Sequence, residues 1–152
     1  MEKMMRLKAL FSLDAMTLFL LVEAALFLGW ARICIAYQPF SKIAPSLGQY
    51  MRETNKEPVA DHRQSLVQIR SAIHIVSKHT PWDSKCLARA IAGMRMLERR
   101  NISSTLYLGT CKDECGKLIA HAWLRSGSQY ITGAEEMDRF TVTGMFAKGI
   151  HY

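Results

Sequence analysis

The sequence predicts an α+β domain in which helices come first and a small antiparallel sheet follows. Three patterns point there. An almost unbroken apolar block lies near the N-terminus, apolar residues recur three or four apart through residues 61–98, and short alternating runs follow Asn101. Helices followed by a block of strands is the order that defines an α+β chain.

Lys3 to Tyr37 reads as one long helix, or two in tandem with Asp14 as an internal cap. Gln38-Pro39 breaks it, and a second apolar stretch, Ile43 to Met51, holds Pro45 and Gly48. Arg52 to Pro58 is the most polar stretch and reads as a linker. It divides the chain into an apolar N-terminal helical arm, 1–55, and a domain over 56–152. Leu66, Ile69, Ile73 and Val76 mark a helix from Asp61 to Lys78, stopped by His79-Thr80-Pro81-Trp82. Leu87, Ile91, Met94 and Leu97 stripe a second helix, which starts near Asp83 or Ser84. It ends in Glu98-Arg99-Arg100-Asn101, where cations suit the C-terminal dipole. Ser104 to Cys111, Leu118 to Arg125 and Ser128 to Thr132 then alternate with period two. Turns at Lys112 to Lys117 and Ser126-Gly127 separate them, which predicts an antiparallel meander.

A chain of 152 residues is long enough to bury a core without disulfides. Its four Cys, unevenly spaced, read as thiols of a reducing cytosol rather than a secreted framework. Lys and Arg number 20 against 13 for Asp and Glu, but the charge is spread along the chain and reads as a solvated basic surface. Basic and aromatic residues are not interleaved in one patch, so no nucleic-acid partner is expected. No P-loop or dinucleotide fingerprint is present, and no cofactor is expected.

Ala15 to Tyr37 has the roughly 20 apolar residues a membrane span needs. No small-residue cleavage site of a signal peptide appears before Tyr37. Glu23 and Arg32 interrupt the segment, each costing about 2.5–3.5 kcal/mol near a bilayer centre. Nine residues apart, they cannot pair along one helix face. The segment is read first as a packed or interface helix, then as a membrane-surface helix, and last as a span. If it packs, Glu23 and Arg32 should each find a polar partner or a path to solvent.

Cys86 is the sharpest chemical feature. In the first turn of a helix, unpaired N–H groups and the helix dipole favour a thiolate and therefore a better nucleophile. The same N–H groups can form half of an oxyanion hole. Alone, a Cys at a helix start is a small core hydrophobe. His121 alternates with Ala120 and Ala122 and can face a neighbouring helix rather than water. Alone, it is a hydrogen-bonded core residue. A Cys that opens a helix, followed by a strand carrying His-Ala-Trp, is the combination that thiol chemistry of the papain or transglutaminase type needs. The imidazole takes the thiol proton and later protonates the leaving amine. Cys111 and Cys115, spaced C-x-x-x-C ahead of His121, are a weaker alternative; a structural zinc site wants four ligands, often as closer pairs, so no metal is expected.

The residues resemble those of the lasso-peptide leader peptidases, the protease proteins of lasso-peptide biosynthesis, in the transglutaminase-like superfamily. The likeness lies in Trp82 followed by Cys86-Leu87-Ala88-Arg89-Ala90, then Leu97-Glu98-Arg99-Arg100-Asn101-Ile102, Leu106-Tyr107-Leu108-Gly109 and Ala120-His121-Ala122-Trp123-Leu124. In the arm it includes Val22-Glu23-Ala24-Ala25-Leu26, Ala31-Arg32 and Gln38-Pro39-Phe40. It covers essentially the whole chain.

The resemblance implies an N-terminal helical arm ahead of a papain/transglutaminase-like cysteine protease domain, with Cys86 as nucleophile and His121 as general base and acid. It also implies an acidic residue after the next strand, orienting the imidazole. That place reads Thr132-Gly133-Ala134. Glu135, Glu136 and Asp138 are the nearest carboxylates, Glu135 closest to the strand end, and a backbone carbonyl is the other way to hold the ring. The implied activity is a cytoplasmic cysteine endopeptidase that removes the leader from a ribosomally synthesised lasso-peptide precursor before cyclisation. The implied partners are the precursor peptide, a small leader-binding protein and an ATP-dependent lasso cyclase, with peripheral membrane contact through the arm left open. The alternative reading is a non-catalytic helical adaptor or membrane-docked scaffold in the same biosynthetic complex.

Overall fold

The computed structural model describes residues 1–58, 60–80 and 85–149. The N-terminal block forms two helices, α1 (Glu2–Phe11) and α2 (Ala15–Tyr37). Asp14 is the extended N-cap of α2, and its carboxylate accepts the Thr17 hydroxyl. A short α3 (Phe40–Ile43), a 3-10 turn over Ala44–Leu47 and a two-residue strand β1 (Gln49–Tyr50) follow. Next come α4 (Arg63–His79), preceded by a 3-10 turn, and α5 (Cys86–Glu98). The remaining strands are β2 (Ser104–Lys112), β3 (Leu118–Ser126), β4 (Gln129–Thr132) and β5 (Thr141–Lys148). A 3-10 segment, Ala134–Arg139, joins β4 to β5.

The five strands pair antiparallel in the order β1-β5-β2-β3-β4. The expected meander is β2-β3-β4. The two further strands extend it on the β2 side. β5 is poorly announced because Gly144 interrupts its alternation, and a bulge opposite Leu108 and Gly109 shifts its register.

α5 is the central element, packed between α2 and the sheet, with α4 alongside. It is therefore buried on nearly every side, at Ala88, Ala90, Ile91, Ala92, Gly93, Met94, Met96 and Leu97. Small residues allow the close approach: a Cβ at Gly93 would lie 2.7 Å from Leu124 Cδ2. Leu66, Ile69, Ile73 and Val76 of α4 are buried as their spacing predicts.

Leu20, Ala24, Leu28 and Ala31 of α2 belong to the same core as α4, α5 and the sheet. Each fully buried Leu contributes roughly 1.5–3 kcal/mol, so the arm is held to the domain by its inner face. Residues before and after position 55 thus share one core, and β1 from the first part pairs with β5 from the second. The polar stretch read as a linker is pinned to the sheet. Thr54 N–H donates to Thr105 Oγ1 at 2.9 Å, and the buried Arg125 guanidinium donates to Thr54 O at 3.0 Å and Asn55 O at 3.1 Å. A stretch rich in polar residues is fastened here by hydrogen bonds and by the Glu53–Arg125 ion pair at 4.0 Å.

Glu23 is 4% exposed and finds the partners its burial demands. Arg100 meets its carboxylate at 2.7 Å and Arg99 at 3.1 Å. Arg32 is half-buried, makes no ion pair among the described residues and keeps a path to solvent. The outer face of α2 leaves Phe19, Val22, Leu26, Trp30 and Ile33 exposed at three- and four-residue spacing. Among the described residues, α2 alone is long and apolar enough to cross a membrane.

Candidate functional site

Helix α5 begins at Cys86 itself, with Lys85 as an extended N-cap that supplies no side-chain hydrogen bond. The expected helix start at Asp83 or Ser84, and the Pro81-Trp82 break before it, lie outside the described residues. The Arg89 N–H donates to Lys85 O at 3.1 Å, the first bond of the helix. The N–H groups of Cys86, Leu87 and Ala88 therefore have no intrahelical acceptor. The Cys86 side chain is half-buried and packs against the core.

His121 sits on β3 directly across from Gly109 of β2. Its ring lies 5.8 Å from Trp123 and 4.9 Å from Phe140, and Trp123 in turn stacks on Tyr107 at 5.6 Å. These rings share one face of the sheet, while Ala122 and Leu124 on the other face enter the core with α4 and α5. The expectation that His121 faces a helix is corrected accordingly: its small neighbour Ala122 takes the helix side, and His121 joins an aromatic row. The residue is 9% exposed.

The ring is held by a backbone group. Nε2–H donates to Gly133 O at 2.7 Å. A carbonyl only accepts, so the proton is on Nε2, and in the neutral ring Nδ1 carries the free lone pair. Gly133 adopts φ +76°, and a Cβ there would fall 2.5 Å from Ala122 O. Glycine is what lets the chain turn this close to β3. Glu135, Glu136 and Asp138 are exposed on the following 3-10 segment, and among the described residues none of them hydrogen-bonds His121.

α5 brings its N-terminus to the same end of β3. Gly93 packs on Leu124, and Cys86 lies about 10 Å further back along the helix at 1.5 Å per residue. His121 lies about 10 Å back along the strand at 3.3 Å per residue. Arg89 and Gly133 meet across one cavity of about 340 Å³, whose wall also carries Arg70, His74, Thr132 and Glu135. Arg89, one turn after Cys86, thus lies near Gly133, whose carbonyl holds His121 where β4 has ended and β3 has a free edge. No Sγ–imidazole hydrogen bond joins Cys86 and His121 among the described residues. Sequence reasoning passed over Arg89 and Thr132; the signal for Arg89 was its i+3 spacing from Cys86, which puts both near one helix face.

The other cysteines are placed elsewhere. Cys34 is half-buried in α2, Cys111 lies on β2, and Cys115 is exposed in the β2–β3 turn. That turn is organised by Asp113, whose Oδ1 accepts from Cys115 N–H at 2.9 Å and Lys117 N–H at 2.8 Å.

A family model for the transglutaminase-like superfamily matches residues 24–145, a range that holds most of α2, Cys86, His121 and the sheet. The chain belongs to the transglutaminase-like superfamily, which includes cysteine peptidases. No curated protein and no solved structure gave a match.

Proposed function

We propose that the protein is a cysteine endopeptidase that removes the leader from a lasso-peptide precursor. The observation that supports this reading is a transglutaminase-like chain in which a Cys opens a helix and a His is held through Nε2 by Gly133 O, its Nδ1 without a hydrogen-bond partner among the described residues. His121 Nδ1 takes the Cys86 proton, and the thiolate attacks the scissile carbonyl. The N–H groups of the first α5 turn face the developing oxyanion. His121 returns the proton to the leaving amine, and water attacks the thioester to release the leader's carboxylate. Gly133 O serves as the group that orients the imidazole, in place of Glu135. The reading requires Cys86 and His121 to come within hydrogen-bond reach when substrate binds, since catalytic hydrogen bonds are commonly completed only in the substrate complex. A leader-binding protein presents the precursor and a cyclase takes the freed core. The exposed stripe of α2 favours the second reading, a non-catalytic adaptor.

Cys86→Ala separates the two. With precursor and leader-binding protein present, the parent is expected to release the leader by mass spectrometry and the variant to bind and release none; a parent that binds without cleaving leaves the adaptor, and cleavage by the variant at the parent rate removes Cys86 as nucleophile. Iodoacetamide mapping gives a second check. Accessibility alone would rank exposed Cys115 ahead of half-buried Cys86. Faster labelling of Cys86 than of Cys34, Cys111 or Cys115 near neutral pH is the expected order, because only Cys86 opens a helix.

The arm is expected to hold the enzyme in the cytosol or loosely at a membrane surface, since Leu20, Leu28 and the paired Glu23 face the domain. Alkaline carbonate should strip the protein from membranes. Full retention in the pellet would make α2 a span.

A further inference from the structure

We propose that the cavity beside the first turn of α5 is a carboxylate-recognising subsite, filled by an acidic side chain of the peptide held at Cys86; the assignment rests on the peptidase reading. Two buried polar atoms on its wall have no partner among the described residues. Arg89 Nε and Thr132 Oγ1 are both out of solvent and without a hydrogen-bond partner among the described residues, and Thr132 is only 9% exposed. An unsatisfied buried polar group costs about 1–3 kcal/mol, more when charged, so two on one wall point to an acceptor that arrives with a ligand.

The chemistry of the wall selects that acceptor. A guanidinium only donates and a Thr hydroxyl can donate, and a carboxylate accepts from both through its two oxygens. The lining carries two guanidiniums, Arg70 and Arg89, against the single carboxylate of Glu135. Glu135 and Arg70 stand exposed at the rim, where water screens them, while Arg89 Nε is buried. A volume of about 340 Å³ lies at the small end of ligand pockets, suiting one side chain rather than a whole peptide. Arg89 is three residues from Cys86, under one turn of about 5.4 Å, which places the recognised residue next to the scissile bond.

The test uses the full-length Cys86→Ala chain, in which binding is read without cleavage. Amidated, acetylated Ala-based hexapeptides carrying one Glu at each position in turn are titrated by NMR beside their Gln counterparts. At one position the Glu peptide should bind about tenfold tighter than the Gln peptide, with the difference falling as salt is added. Arg89→Gln should abolish that difference, and Thr132→Val should reduce it. Equal binding of Glu and Gln peptides, no binding of either, or discrimination that survives Arg89→Gln overturns the subsite. If Arg89→Gln does not fold, the Glu–Gln comparison in the Cys86→Ala chain decides alone. A wild-type chain that binds the Glu peptide selectively yet cleaves no precursor overturns the peptidase reading and leaves the subsite standing.

Discussion

His121→Ala is expected to fold and bind precursor while losing leader cleavage by a factor on the order of 10³ or more. The fold should survive because the ring's contacts with Trp123 and Phe140 contribute only about 0.5–1.5 kcal/mol each beyond their buried area. The rate should not, because among the described residues no other imidazole hydrogen-bonds Gly133 O; His74 reaches the corner only from the cavity side. Gly133→Ala is the companion variant. Its Cβ would fall 2.5 Å from Ala122 O and 2.9 Å from Trp123 Cβ, so the carbonyl that holds Nε2 must move. Cleavage should drop while Cys86 labelling stays as in the parent. Gly133→Asp should fare no better, since the same Cβ clash keeps an acid from taking the place the family gives it. Residual activity of His121→Ala within about tenfold of the parent, roughly 1.4 kcal/mol in barrier, would demote His121 to a structural residue.

What was legible in the sequence follows from how many sides of each element are covered. α4 shows a clean stripe because one face meets the core and the other meets water. β2, β3 and β4 announce themselves by alternation and by the polar turns between them. α2 reads as apolar all round because one face is buried and the other carries exposed apolar residues, so its pattern could not say which side packs. β3 hides its orientation for a related reason. Both of its faces are covered, Ala122 and Leu124 by helices and His121 and Trp123 by an aromatic row, so polarity gives no clue to which face the His takes. The tie between the segment at 54–55 and Arg125 was illegible because both ends are polar and about 70 residues apart, a pairing that no periodicity encodes. The role of Gly133 was half legible. The absence of an acid at Thr132-Gly133-Ala134 was visible, and the hydrogen bond from His121 to Gly133 O became specific only once the turn was seen.

Arg125→Leu is expected to destabilise the domain by about 3–5 kcal/mol. Arg125 is 3% exposed, and its guanidinium donates to Gly127 O at 2.7 Å, Tyr107 Oη at 2.9 Å, Thr54 O at 3.0 Å and Asn55 O at 3.1 Å. Leucine would fill much of the volume but leave three carbonyls without their donor, each costing about 1–3 kcal/mol where water cannot replace it. The effect has a local signature as well as a global one. Freed from the sheet, residues 52–57 should open first, so trypsin should nick after Arg52 and Lys56 at concentrations that leave the parent intact. The network also fixes a pH window. Burial and then the Glu53 carboxylate push the Tyr107 phenol up to about 12, so its contribution is full below the free-tyrosine value near 10 and is lost as pH rises towards 12. The Tyr107 hydrogen bond, then Lys56 and Arg125, hold Glu53 below the usual carboxylate range. Its contribution is therefore present above that range and is lost as pH falls through the lowered value. Urea midpoints for the parent should be flat across neutral pH and fall at both extremes, and Tyr107→Phe should blunt both falls. A parent-like urea midpoint and an uncut 52–57 segment in Arg125→Leu would show that the segment is held by something other than this guanidinium.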